Sequence, residues 1–269
     1  MAGLAPRASA LAGRWYPSDP SGLARDIAAW LATAAPAERT PALLLVPHAG
    51  LAYSGPVAAH AYAQLTAQRP RRIVVIGQSH RYPTGIEFYE DDPIGTPLGA
   101  VPIDAEAAGA LRACLRAYDH QPDTLRLEHA VEVQFPFIRY VAPDVPVVPI
   151  VITMGSPEIW RALAEGLETT GLVDGSVVAV STDLYHGSDL DAAHRHGEAF
   201  ARLLEAGDRE ALEAAWGRNE AQACSHGPVL IGLHLAKAQR RDWRVLRLGT
   251  SDDIVPGGDY VVGYAAAAA

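Results

Sequence analysis

The sequence predicts an α/β protein, one domain built on a central, mainly parallel or mixed sheet with helices on both faces. Two observations carry this. Aliphatic runs of strand length recur along the chain, at 42–46, 73–76, 145–155 and 176–181. Segments of helical periodicity separate them. Strands buried on both faces read as continuous aliphatic runs, and helices between them imply crossover connections. No repeat and no low-complexity linker divides the chain, so residues 1–269 are read as one domain.

The elements follow in order. Residues 20–32 form a first helix, with Ser18 or Asp19 as cap and Leu23, Ile27, Trp30 and Leu31 on one face. The run 42–46 is the first strand. A helix follows in "SGPVAAHAYAQL", capped by Ser54 with Pro56 in its first turn. The run 73–76 is the second strand. "GIEFYEDDPIGTPLGAVPID" reads as a short strand, a loop and an extended arm. Residues 104–118 form an amphipathic helix that places Leu111, Cys114, Leu115 and Tyr118 together, so Cys114 reads as a small buried hydrophobe. Two buried strands come next, at "VPVVPIVITMG" and "SVVAVS", with helices around Trp160, Phe200 and Leu212. "DYVVGYAAAAA" is a last strand with a frayed alanine tail.

Charge and composition exclude several function classes. The formal net charge of −9 argues against nucleic acid, whose phosphates need a basic surface. The short basic clusters "QRPRR" and "QRRDWR" read as solvated loop or helix ends. Two cysteines are too few for a disulfide framework and fit a reducing compartment. The N-terminal stretch lacks an apolar signal core, and "ALLLV" is far short of a membrane span. A cytoplasmic protein without a membrane partner is expected. No GxxxxGK[ST] occurs and no GxGxxG follows a strand, so neither ATP nor NAD is expected.

The chemistry gathers at strand ends. In parallel sheets the carboxyl ends of the strands form the ligand crevice. His48 follows the first run, His80 the second, and Asp183 and His186 follow "VVAVS". Parallel strands would bring all four to one edge, the arrangement of a metal or acid–base site. Cys224, in the polar turn "QACSHGP" before a helix starting at Pro228, adds a soft ligand, because a helix N-terminus lowers a thiol pKa. In "EHAVEVQFPF", helical spacing puts Glu128 and Glu132 on one face beside His129. That cluster reads equally as support for a metal site or as a solvated helix turn.

The motifs "RWYP", "VPHAGLAYSGPVAAHAY", "IGQSH", "TPLGAVPID", "EHAVEVQFPF", "VPIVI", "STDLYHG", "ACSHGP" and "VVGYAA", in this order, resemble the Memo family, whose bacterial form is the B protein of the AmmeMemoRadiSam system. The resemblance implies a fold similar to class III extradiol dioxygenases, which use non-haem Fe(II). It implies metal ligands at His48, His80 and Cys224, with Asp183 and His186 as catalytic groups. Asp183 and His186 would complete the pocket, and Trp15 and Tyr53 would form its aromatic walls; Glu128 and His129 are taken as further substrate-binding candidates. Fe(II) is the expected metal, with Cu or Zn as alternatives because thiolate is a softer ligand than carboxylate. Radical SAM and Ammecr-type proteins are the implied pathway partners, and the ligand is a small molecule or peptide. The chain departs from the family pattern at Ser225, where glycine is usual, and at Gln78, where proline is frequent. Ser225 bears on how closely the backbone there can approach a ligand. The expected function is a metal-binding, dioxygenase-like enzyme acting on a small aromatic or related substrate. A non-enzymatic metal, redox or peptide-binding module and a metal-dependent hydrolase are the other readings.

Overall fold

The aliphatic runs become strands because they are too short for helices and end in glycine, proline or polar residues. The computed structural model describes residues 6–66, 69–80, 85–90, 93–119, 128–153 and 156–269. Gln68 of the first basic cluster, and Met154 and Gly155 of the third run, lie outside them. The strands are β1 (Leu43–Val46), β2 (Arg72–Gln78), β3 (Ile86–Phe88), β4 (Ile94–Thr96), β5 (Gly99–Val101), β6 (Val147–Ile152), β7 (Ser176–Ser181), β8 (His186–Gly187), β9 (Arg244–Thr250) and β10 (Val261–Ala268). The main sheet has the order β3-β6-β2-β7-β1-β10-β8, and β9 also pairs with β10. Strands β6, β2, β7 and β1 run parallel. Strands β3 and β10 join this block antiparallel, as β9 joins β10, so the sheet is mixed.

Side chains alternate across the sheet, and both faces are covered. On one face Leu43, Leu45, Val74, Ile76 and Val178 pack with residues of the helices Ala105–Cys114, Pro157–Thr169, Leu190–Glu205 and His226–Ala238. On the other, Leu44, Val46, Ile73, Val75 and Val177 pack with Pro20–Leu31, Leu51–Tyr62 and Phe135–Val141. Short acidic or hydroxyl side chains start several helices. Asp19 accepts from the Gly22 amide at 2.6 Å, and Asp104, Ser156, Asp189 and Asp208 cap in the same way. Among the described residues, no helix is long and apolar enough to cross a membrane.

Several local expectations change. The second helix begins at Leu51, so Ser54 is not its cap. The Ser54 hydroxyl donates to the Ala49 carbonyl at 2.7 Å, and Pro56 lies inside the helix. The helix after Asp104 stops at Cys114, and Leu115 turns out of helical geometry. The apolar face is therefore Ala107, Ala108 and Leu111, and Cys114 is exposed. In the first basic cluster Arg72 is not solvated. It is buried in β2, with Nε donating to Asp104 at 2.7 Å.

The alanine tail is not frayed either. Ala265, Ala266 and Ala267 are fully buried, because β10 lies between β1 and β9, and Ala269 exchanges backbone hydrogen bonds with Leu43. Methyl side chains suit a strand with helices pressed on the sheet. Strand β9 had no clear signal, since Arg244 and Arg247 interrupt its apolar positions. Truncation after Tyr264 should lower Tm by more than about 10 °C, since 1 kcal/mol shifts a domain of this size by about 2–4 °C. A shift under about 2 °C in a calorimetric scan would restore the frayed-tail reading.

Candidate metal centre

Parallel register places the polar turns. Val46 of β1 pairs with Ser181 of β7, while Ile76 of β2 pairs with Val180. His48, His80 and Asp183 each follow their strand by two residues, so they emerge at one edge of the sheet. Cys224 reaches the same edge from the other direction. Its helix begins at His226, two residues earlier than the proline suggested, with Ser225 at the N-cap.

The cysteine segment is fastened on three sides. The Cys224 amide donates to the Asp183 carbonyl at 2.9 Å, and the Asp183 amide donates to Cys224 Sγ at 3.2 Å. Gln78 Nε2 donates to the Cys224 carbonyl at 2.8 Å, and Gln78 Oε1 accepts from the Gly227 amide at 3.2 Å. The Ser225 amide donates to Thr182 Oγ1 at 3.2 Å. Held this way, Cys224 Sγ lies 3.1 Å from His48 Nε2.

Each imidazole is oriented through its other nitrogen. His48 Nδ1 shares a hydrogen bond of 2.7 Å with Ser181 Oγ, and the His48 amide donates to Asp183 Oδ1 at 2.7 Å. His80 Nδ1 pairs with Glu128 Oε1 at 2.9 Å, and its amide donates to Glu128 Oε2 at 2.8 Å. Engaging Nδ1 leaves Nε2 as the free donor, the usual device for aiming a metal-ligating histidine. Ligand atoms of His48, His80 and Cys224 lie within 4.8 Å of one another. One ion with bonds of about 2.0–2.3 Å spans such separations, so this donor set fits a metal. A second group, His80, Glu128 and His129, shares the same imidazole.

His129 belongs to this cluster. Its ring centroid is 4.4 Å from His80 and 5.3 Å from His48, and Trp15 lies on it at 4.4 Å with planes 31° apart. The residues of "EHAVEVQ" divide their work. Glu128 and Glu132 are both 1% exposed, so neither is solvated. Glu128 faces His80. Glu132 accepts from the Ala10 and Leu11 amides at 2.8 and 3.0 Å, from Ser9 Oγ at 2.8 Å and from Arg7 at 3.3 Å. That carboxylate anchors the N-terminal arm carrying Trp15.

Other expected residues sit further out. Tyr53 is 43% exposed on the first turn of its helix. His186 is exposed in β8, with Nδ1 3.0 Å from the Leu184 carbonyl and its ring 6.4 Å from Tyr260. It lines a cavity of about 160 Å³ that also reaches Cys224. Asp183 is buried and acts through the His48 amide and the cysteine segment. Ser181, Thr182, Gln134 and the two contacts of Gln78 were missed as site residues. Ser181 and Thr182 stand in "STDLYHG" and Gln134 in "EHAVEVQFPF", but side-chain partners across separate strands leave no local pattern. Gln134 Nε2 donates to the Pro47 carbonyl at 2.9 Å and to Ser181 Oγ at 3.2 Å, bracing the His48 turn.

The electrostatics favour a charge-separated cluster. Burial opposes the Cys224 thiolate, yet the charge of His48 and hydrogen bonds from His48, His80 and Ser225 hold its pKa well below the thiol range. Burial likewise opposes charge on His48, but Cys224 and Asp183 raise its pKa. His80 is pushed up to about 10 against burial, by hydrogen bonds to Cys224 and Glu128. Burial and the nearby charge of His48 bring His129 down to about 3, so it is a neutral base at pH 7. Burial raises the pKa of Asp183.

The profile of the Memo-like protein family matches residues 7–268. A MEMO1 family protein of Sulfolobus acidocaldarius is 33% identical over 280 residues, covering 96% of this chain and 97% of its own. One from Saccharolobus solfataricus is 32% identical over 281 residues, covering 97% and 98%. The fold is similar to that of an uncharacterized protein from Escherichia coli K12, with a TM-score of 0.51 and 15% identity, over 86% of this chain and 100% of that one.

The thiolate is testable without any metal. In metal-free Cys114→Ser protein, alkylation of Cys224 by iodoacetamide should change less than about twofold between pH 8 and pH 6. An unperturbed thiol, with pKa about 8.5, slows about tenfold per unit over that range. The ordinary slope in a stopped-time mass assay would refute the ion pair.

Proposed function

This chain belongs to the Memo family, and from that premise we propose that it is a metal-dependent oxidoreductase. It holds one non-haem Fe(II) on His48, His80 and Cys224 and acts on a small aromatic or related molecule. The observation that carries this reading is the convergence of two imidazoles and a thiolate within 4.8 Å, each oriented by a second hydrogen bond. Three protein ligands leave coordination positions open, as a reactive site requires and a structural one does not. When bound, the metal supplies Lewis-acid and one-electron chemistry.

The protein supplies the rest. Glu128 fixes the His80 ring, and Asp183 holds the His48 turn against the cysteine segment. Trp15 offers a flat face beside His129 for an aromatic ring. His129, stacked against Trp15 and beside the His48 and His80 rings, is placed to meet a substrate hydroxyl and to hold its proton. His186, exposed and lining the small cavity that reaches Cys224, is the acid–base group on the solvent side. The thiolate supports a second reading, in which the ion is Cu(I) or Zn(II), because sulfur is a soft ligand. A thiolate ligand persists under reducing conditions, which supports a cytoplasmic location under either reading. Radical SAM and Ammecr-type proteins fit as pathway partners on the family resemblance.

Anaerobic purification followed by plasma emission analysis should find about one iron per chain, and catechols should stimulate oxygen uptake. Stoichiometric copper or zinc, with no oxygen uptake, would move the assignment to the second reading. His48→Ala should remove more than about nine-tenths of the bound metal with the melting curve intact, because one of three ligands is lost. Cys224→Ser should remove less, and equal metal content across all three proteins would overturn the ligand set. His129→Gln should keep the metal and lower turnover about 10²–10⁴-fold, the usual worth of a positioned acid–base group. Loss of metal in His129→Gln would instead make that imidazole a ligand.

A further inference from the structure

We infer that the small cavity ending on Cys224 is the route by which a divalent metal ion enters and leaves the site, with the exposed imidazoles of His186 and His226 as stepping ligands at its mouth. The inference rests on the reading of His48, His80 and Cys224 as the ligand set. The cavity measures about 160 Å³, and His186, Gln222, Trp216, His226 and Cys224 are among its lining residues. A water takes up about 30 Å³ of liquid, so there is room for an ion with part of its hydration shell. Cys224 belongs both to the lining and to the convergent donor set, so the cavity opens on the metal position from the sulfur side.

The donors at the mouth are free to take a metal. The Leu184 carbonyl can only accept, so its 3.0 Å contact places a proton on His186 Nδ1. In the neutral ring Nε2 then carries the lone pair, the form in which imidazole binds metals. That nitrogen has no hydrogen-bond partner among the described residues, and neither ring nitrogen of His226 has one. The His226 ring is stacked on Trp216 at 3.9 Å with planes 4° apart. Stacking covers one face of the imidazole and leaves its nitrogen-bearing edge clear of Trp216. Both histidines are exposed, and Cys224 is half-buried at the inner end. Among the described residues, no carboxylate, lysine or arginine lines the cavity to compete for the ion or repel it. Imidazole outside and the softer thiolate inside draw a borderline or soft ion inward.

The two imidazoles suit transit and not storage. Among the described residues, the three-donor groups are His48 with His80 and Cys224, and His80 with Glu128 and His129. His186 and His226 belong to neither. Tight sites use three or four protein ligands, so an ion held by one or two imidazoles passes on. A residue that lowers the barrier of a path without touching its end state speeds entry and exit by the same factor. A ligand changes the affinity instead.

The test uses the full chain, metal-free and carrying Cys114→Ser, mixed with Co(II) in a stopped-flow instrument. The thiolate-to-cobalt absorption reports arrival at Cys224, and Cys224→Ser should abolish it. Glutamine is polar but a poor metal ligand. His186→Gln combined with His226→Gln should therefore slow loading about tenfold, slow release to a chelator by the same factor, and leave Kd within about twofold. Gln222→Trp, which narrows the mouth, should slow both directions as well. Thermal melting verifies each fold, and His186→Gln alone carries the test where the double variant does not fold. Wild-type rates in the histidine variants would overturn the route and leave the ligand set standing. Loss of affinity in either would make that imidazole a ligand and equally overturn it. Absence of the absorption in the starting protein would remove the ligand set, and the route with it.

Discussion

A half-buried sulfur anion is costly without partners, and the architecture of the sheet edge follows from that constraint. A charge withdrawn from water is penalised, so Cys224 needs cations and hydrogen donors at contact distance. The cations come from β1 and β2, as His48 and His80. One donor is the Asp183 amide beyond β7, and the hydroxyl of Ser225 is 3.5 Å away. These groups arrive together only because β2, β7 and β1 are adjacent and parallel. Side chains alternate along a strand, so a slip of one residue between β1 and β7 would invert the faces of the whole run. The core on both faces thus fixes the register, and the register fixes the site.

A buried carboxylate organises the N-terminal arm. Glu132 collects Arg7, Ser9 and the amides of Ala10 and Leu11, which satisfies a carboxylate that would otherwise be costly at 1% exposure. The pair with Arg7 adds little net stability by itself, since desolvation of both charges offsets their attraction. Its contribution is specificity. It selects one path for the N-terminal arm, and on that path Trp15 covers His129 while its carbonyl accepts from the Leu51 amide at 2.8 Å. One short helix, His129–Glu132, therefore carries both a site residue and the anchor of the segment that encloses it.

The layered α/β fold was legible because buried parallel strands declare themselves as aliphatic runs. His48, His80 and Asp183 were legible as well, since each lies two residues past such a run and parallel direction does the rest. Cys224 could be singled out by its polar turn before a helix. The roles of Glu128 and Glu132 were not separable, because helical spacing places two carboxylates on one face without saying what each face meets. Cys114 was misread for a related reason. Periodicity assumes that a helix continues, and this one ends there. Strand β10 was underestimated because alanine has low strand propensity, while the narrow space between sheet and helices rewards a methyl group. Ser181 and Gln134 act across strands, and no local pattern encodes such partners.

The two departures from the family pattern, Gln78 and Ser225, fall on the same short segment and act on it together. A glycine at 225 would be demanded if the backbone there were left-handed, but Ser225 has φ −120°, which any residue adopts. Its side chain is fully buried, and Oγ reaches toward Cys224 Sγ, so the extra atoms join the hydrogen bonding around sulfur. A proline at 78 would have neither amide hydrogen nor polar side chain. The glutamine replaces these with one group that grips the carbonyl of Cys224 and the amide of Gly227. The first turn of the helix His226–Ala238 is thereby capped from a neighbouring strand, which explains how it starts without a side-chain cap of its own. The thiolate keeps the favourable end of that helix, and its position is set by β2, the strand that also delivers His80.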